Sequence, residues 1–281
     1  MKNYDLCMAL AKSDGASEIK AILKAEGHWD NPSAWRDYGD KANNYSTIGN
    51  QQSQPINALI EKLINAGDSI LTSKVKEAGI DPEDSSSAPT SMKEAKKDFL
   101  NIPFGDINQL DAKQRGALAR DCGGVVVTGD NKKPTYAIWD FGEGQSPENF
   151  PTTLCGLSES NKQKIACNQG KHSSGGTGAL VFCEEGVQLT IARKSPKIHD
   201  KSSSDDIGFT VTRKFPAGSN KSPSYKYLVI NGEVPSFPAK PLTILPTEGD
   251  EDPFVKDWEY GCFVKLFGFS IGPRLRSVFN I

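Results

Sequence analysis

Histidine is scarce in this chain, which has only His28, His172 and His199, and that scarcity argues against a His-rich metal site. The six cysteines (Cys7, Cys122, Cys155, Cys167, Cys183 and Cys262) are scattered and form no Cys-x-x-Cys pair. A zinc ribbon or disulfide framework is therefore not indicated, and reduced thiols in a cytoplasmic setting are the simple expectation. No apolar run approaches the ~20 residues needed to cross a bilayer, so no membrane partner is expected. The start, Met1-Lys-Asn-Tyr-Asp-Leu-Cys7, lacks the basic and then apolar segments of a signal peptide. Excess charge is missing as well: the formal net charge of −2 gives no global reason to expect nucleic acid as a partner, although local basic patches stay open.

What remains is a 281-residue chain with 37% hydrophobic and 24% charged residues, enough to bury a substantial core in one large domain with or without an appendage. Residues 1–50 mix a helical pattern from Leu6 to Leu23 with a polar stretch, His28 to Tyr45. They read as an arm packed on the main domain, because Trp29, Trp35 and Tyr38 require burial. Pro55 to about Ala78 is the strongest helix pattern. Pro55 suits the first turn, Ile56, Leu59, Ile60, Leu63, Ile64 and Leu71 supply an apolar stripe, and Gly79 fits the stop. Weaker helices are expected over Ser91–Leu100 and Asp111–Ala119, the second opened by a capping box, Asp111-Ala-Lys-Gln114. Gly124–Thr128 and Thr135–Trp139 read as a hairpin through Gly129-Asp130-Asn131. Further strands are expected at Val187–Arg193, Gly208–Lys214, Tyr225–Ile230 and Cys262–Phe267. The polar stretch from Gln145 to Ser174 reads as a long mobile loop of functional type.

Three segments carry chemistry. Glu61, Asn65 and Asp68 stand at i, i+4 and i+7, on one helix face beside the apolar stripe. A carboxamide such as Asn65 offers a neutral oxygen to a hard cation, and Glu61 can accept a proton from water. Alone, the triplet fits a solvated helix face better than a site. Next, the strand Thr135–Trp139 runs into Asp140-Phe-Gly-Glu-Gly144, an acceptor carboxylate followed by glycines that permit a tight turn and close approach of a flat ligand. Asp and Gly also make ordinary turns. Finally, Gly175-Gly-Thr-Gly178 precedes Ala179-Leu-Val-Phe182. Clustered glycines before a helix expose N–H groups suited to phosphate, although a flexible loop fits equally well. It is neither a P-loop nor a dinucleotide fingerprint.

In this order, Glu-x-x-x-Asn-x-x-Asp, Asp-x-Gly-x-Gly, a long polar loop and Gly-x-Gly, the chain resembles the GHKL (Bergerat-fold) ATPases over residues 52 to 270. That family includes ATP-dependent heat-shock chaperones, DNA gyrase B subunits, mismatch-repair proteins and sensor histidine kinases. The linking segments resemble a bacterial subgroup with this domain at the start of a longer chain. The resemblance implies an α/β (α+β) two-layer sandwich with a mixed, mostly antiparallel sheet and helices on one face. Residues 51–272 would form the ATP-binding domain with a lid over 145–174, and residues 273–281 would begin a link to a further part.

It also implies ATP and Mg²⁺ as cofactors. Glu61 would be the general base, Asn65 the Mg²⁺ ligand and Asp68 a neighbour of the nucleotide. Asp140 would bind the adenine amino group, with Gly142 and Gly144 shaping the base pocket. Gly175, Gly176, Thr177 and Gly178 would lie at the phosphates, with Lys162, Lys164 and Lys171 as lid candidates for contacting them. Three departures stand out. Ser69 follows Asp68 where the family often has Ala, Ser173 replaces a glycine, and Cys262 stands where a threonine usually supports adenine; Thr210 or Thr212 could compensate. The function implied is slow ATP hydrolysis driving a conformational switch, completed by further domains or a second copy. A non-catalytic ATP-gated module is the alternative, and a histidine kinase is disfavoured because His28 lacks helical surroundings.

Overall fold

Local chemistry sets most of the elements in the computed structural model, which describes residues 1–157, 165–169, 175–198, 203–218, 222–245 and 257–271. The helices are α1 (Asn3–Lys12), α2 (Ala16–Ala25), α3 (Tyr45–Gly49), α4 (Pro55–Glu77), α5 (Met92–Leu100) and α6 (Ala112–Cys122). The strands are β1 (Trp35–Asp37), β2 (Gly123–Gly129), β3 (Pro134–Asp140), β4 (Gln188–Arg193), β5 (Ile207–Phe215), β6 (Ser224–Leu228), β7 (Ser236–Phe237) and β8 (Gly261–Leu266). Pro55 opens α4, Ser91 caps α5 through the Glu94 N–H, and Asp111 with Gln114 closes a reciprocal capping box on α6.

The strands form one open sheet in the order β1-β6-β5-β4-β8-β3-β2, with β7 added beside β5. Every strand pairing among the described residues is antiparallel, so the parallel component of a mixed sheet does not occur there. The α/β expectation holds: helices pack on a largely antiparallel sheet. The helix of the Glu61 motif covers one face, but α1 and α2 cover the other, so the helices are not confined to a single face as expected.

Side chains alternate between the two faces. Ala137, Trp139, Leu189, Ile191, Phe209, Val211 and Phe263 point to one face and pack with Leu6, Leu10, Ile19 and Leu23 of α1 and α2. Tyr136, Ile138 and Leu266 point to the other and meet Ala58 of α4 and Ala179. The N-terminal arm thus covers the second face, and it also supplies edge strand β1 paired to β6. Trp29, Trp35 and Tyr38 are buried as their composition required. The guanidinium of Arg213 lies 3.8 Å from the Trp29 ring and 4.4 Å from that of Trp35, and donates to the Trp29 carbonyl.

One helix differs from its pattern. On α4 the buried residues are Ala58, Asp68, Leu71, Thr72, Ser73 and Val75, whereas Ile60 and Leu63 of the apolar stripe are 45% and 41% exposed. The helix lays its polar flank over the sheet because a polar cavity lies between them. No helix among the described residues is long and apolar enough to cross a membrane. Residues 273–281, with Arg274 and Arg276, lie outside the described residues.

Candidate functional site

Beneath α4 the sheet turns polar. Asp140 on β3, Cys262 on β8 and the pair Gln188 and Thr190 on β4 all face the helix, which presents Lys62, Asn65, Asp68, Ser69 and Thr72. Between them lies a cavity of about 280 Å³, walled further by Tyr38, Gly144, Gly176 and Thr177. Of the residues singled out by sequence, Asn65, Asp68, Asp140, Gly144, Gly176, Thr177 and Cys262 line it. Gly175 opens the 3₁₀ helix Gly175–Phe182, a tighter helix than the pattern suggested, and Gly178 lies against Gln52. Lys162, Lys164, Lys171 and Ser173 lie outside the described residues.

Asp140 is buried, and its Oδ1 accepts from the Gly142 N–H at 2.9 Å and from Ser69 Oγ at 3.2 Å. Ser69 also accepts from the Glu143 N–H at 3.0 Å, so this side chain pins the Asp140 loop to α4. The glycines are there for packing against protein. A Cβ on Gly142 would sit 2.4 Å from Ser69 Oγ and 2.6 Å from the Ser69 carbonyl carbon. On Gly144, at φ +60°, it would sit 1.8 Å from the Arg193 carbonyl oxygen. The close approach read from the sequence is made by the backbones of α4 and β4. Gly144→Ala is expected to lose about 3 kcal/mol of stability from overpacking and a left-handed φ, measured by chemical denaturation.

At the Asp140 end, Glu143 accepts from Lys76 and Lys194, each at 2.6 Å. Burial pushes the Glu143 carboxyl up, but the two ammonium groups outweigh it and hold the carboxyl below its usual range. Asp68 accepts from the Gln169 N–H at 2.9 Å, and Thr72 Oγ1 donates to Asn168 Oδ1 at 3.1 Å. Cys167 is buried against Leu71 and Ala95. The described parts of the expected mobile lid are therefore packed: residues 165–169 lie on α4, and Phe150 and Cys155 are buried.

Glu61 is placed differently from Asn65 and Asp68. It is not among the cavity-lining residues; its Oε1 accepts from Gln52 Nε2 at 2.9 Å, and its buried Oε2 has no hydrogen-bond partner. The neighbouring Gln51 accepts from the Thr177 hydroxyl, so the segment before α4 touches both Glu61 and the glycine turn. Thr210 and Thr212 do not line the cavity; the Thr210 hydroxyl donates to the Leu228 carbonyl at 2.8 Å. The strand threonine that does line it is Thr190, two residues from Gln188. Both were readable from the polar–apolar alternation Gln188-Leu-Thr-Ile191. Lys62, also missed, carried a weaker signal as a charge beside Glu61. His28 sits in the turn after α2, not on a helix.

No protein-family model matches the chain, and no curated protein matches it.

Proposed function

We propose that this chain is an ATP-binding domain of the GHKL (Bergerat-fold) type, which takes Mg-ATP beneath α4 and hydrolyses it slowly to drive a conformational switch. The observation that carries the reading is convergence. Three motifs distant in sequence, Asn65 with Asp68, Asp140 with Gly144, and Gly176 with Thr177, wall one cavity. Asp140 accepts from the adenine amino group, with Cys262 on the neighbouring strand flanking the base. The backbone amides of Gly176 and Thr177 face the phosphates.

Among the described residues no group of three or more His, Cys, Asp or Glu could hold a metal. Asn65 supplies one neutral oxygen, which suits Mg²⁺ that keeps its waters and arrives with phosphate oxygens. The ion would neutralise charge on those oxygens. Cationic help for hydrolysis would come from the lid lysines, a further domain or a second copy. The free cysteines of the described residues suit a cytoplasmic location.

A second reading has one observation in its favour. Glu61 is held by Gln52 and is not among the residues lining the cavity, which suits an ATP-gated binding module without turnover. The test is calorimetric titration with ATP and ADP in Mg²⁺, followed by turnover assays of the unmodified chain and Glu61→Ala. Saturable binding with turnover lost in Glu61→Ala supports the ATPase. Binding without any turnover supports the module, and no adenine-nucleotide binding overturns both.

A further inference from the structure

The cavity is electrically asymmetric. Two cations line it among the described residues, Lys62 and Lys76. Lys76 is matched by Glu143 at the Asp140 end. Lys62 donates instead to a neutral amide, Gln188 Oε1, at 3.0 Å. The Gln188 amide is itself fixed, because its Nε2 donates to Thr190 Oγ1 at 3.0 Å. Strand register places the two ends: Asp140 pairs with Cys262 on β8, while Gln188 pairs with Leu266. Four residues of strand separate those levels, about 13 Å.

An ammonium enclosed in protein without a carboxylate on it is costly unless an anion arrives. Burial pushes the Lys62 amine below its usual range, with opposing contributions from Cys262, Cys183, Glu61 and Cys155, as expected for a cation short of counter-charge. The carboxylate end and the ammonium end, a strand's length apart, match a ligand with an amino-bearing base at one end and a phosphate chain at the other.

We infer that Lys62 is the phosphate-end cation of this cavity and selects nucleotides carrying a phosphate chain over the bare nucleoside. The inference rests on the ATP-binding reading for its base end only. A Lys62–phosphate contact is a charge-assisted hydrogen bond in a partly enclosed site, stronger than its contact with Gln188. Gln188 and Thr190 then act by holding the amine in place.

The test compares ATP, adenosine and inorganic tripolyphosphate on the unmodified chain and on Lys62→Met, with Lys62→Gln as a second variant should the first fail to fold. ATP affinity is expected to fall about 30-fold in the variant, the size of a lost hydrogen bond to a charged group. Adenosine affinity should stay within about twofold, and tripolyphosphate should raise the thermal midpoint of the unmodified chain but not of the variant. Unchanged ATP affinity, or equal losses for ATP and adenosine, overturns the inference while leaving the ATP reading intact. Tripolyphosphate binding that depends on Lys62, with no binding of ATP or adenosine, instead removes the adenine reading and keeps the anion site.

Discussion

Asp140→Ala is expected, on the proposed ATP-binding reading, to weaken ATP binding about 100-fold, because a buried carboxylate accepting from the adenine amino group would contribute roughly 3 kcal/mol in an enclosed site. The carboxylate is buried and already anchored through Oδ1 by the Gly142 N–H and Ser69. Its removal would also free the loop from α4, so the alanine variant confounds binding with stability. Asp140→Asn separates the two. Its carbonyl can keep the Gly142 bond, while its amide nitrogen presents a donor where the adenine amino group also donates. ATP affinity should still drop by tenfold or more, with a thermal midpoint near that of the unmodified chain. The same change should lower the preference for ATP over GTP, since guanine carries an acceptor at the corresponding position. Calorimetry with both nucleotides, beside a thermal melt, reads all three outcomes. Equal ATP affinity in Asp140→Asn would remove Asp140 from the base pocket.

Removal of residues 1–25 is expected to abolish cooperative folding. Leu6, Leu10, Ile19 and Leu23 are each no more than 1% exposed, and they cover the apolar face formed by Leu189, Ile191, Phe209, Val211 and Phe263. At roughly 2 kcal/mol for each buried side chain the four contribute about 8 kcal/mol. That is comparable to the whole stability of a typical domain, roughly 5–15 kcal/mol. The uncovered sheet face would also aggregate. A truncated chain that melts cooperatively near the temperature of the full one would show the arm to be an appendage. A chain without a cooperative transition by circular dichroism would show that residues 51–272 need the arm as half of their core. Leu10→Ala, expected to cost about 3 kcal/mol, gives the graded version of the experiment.

The two results bear on one another because strand β3 joins both layers. Trp139 packs under α1 and α2 on one face while Asp140, next in the chain, opens into the cavity on the other. Strands β4 and β8 do the same, with Leu189, Ile191 and Phe263 under the arm and Gln188, Thr190 and Cys262 on the cavity, so weakening the arm layer would reach the cavity through all three strands.

Sequence alone determined the elements whose signals are local. The Asp111–Gln114 capping box, the Pro55 start, the β2–β3 hairpin and the alternation of β4, β5 and β8 are each set by neighbours a few residues apart. Helix period and turn chemistry also marked Asn65, Asp68, Asp140, Gly144, Gly176 and Thr177 as motif positions, while Cys262 was implied only by the family resemblance. Tertiary structure decided what depends on residues far apart in the chain. It turned the apolar stripe of α4 partly outward, leaving Ile60 and Leu63 exposed, because the helix covers a polar cavity and not a dry core. The arm became the helical cover of the apolar side of the sheet, where Leu242, Ile244, Leu245 and Trp258 join the same core. Packing against the α4 and β4 backbones explained Gly142 and Gly144, contacts that no local pattern encodes. Lys62 came to face Gln188, 126 positions away, while Glu61 beside it turned to Gln52. Adjacent residues on a helix point about 100° apart, so only the packing of α4 on the sheet could choose which of the two charges enters the cavity.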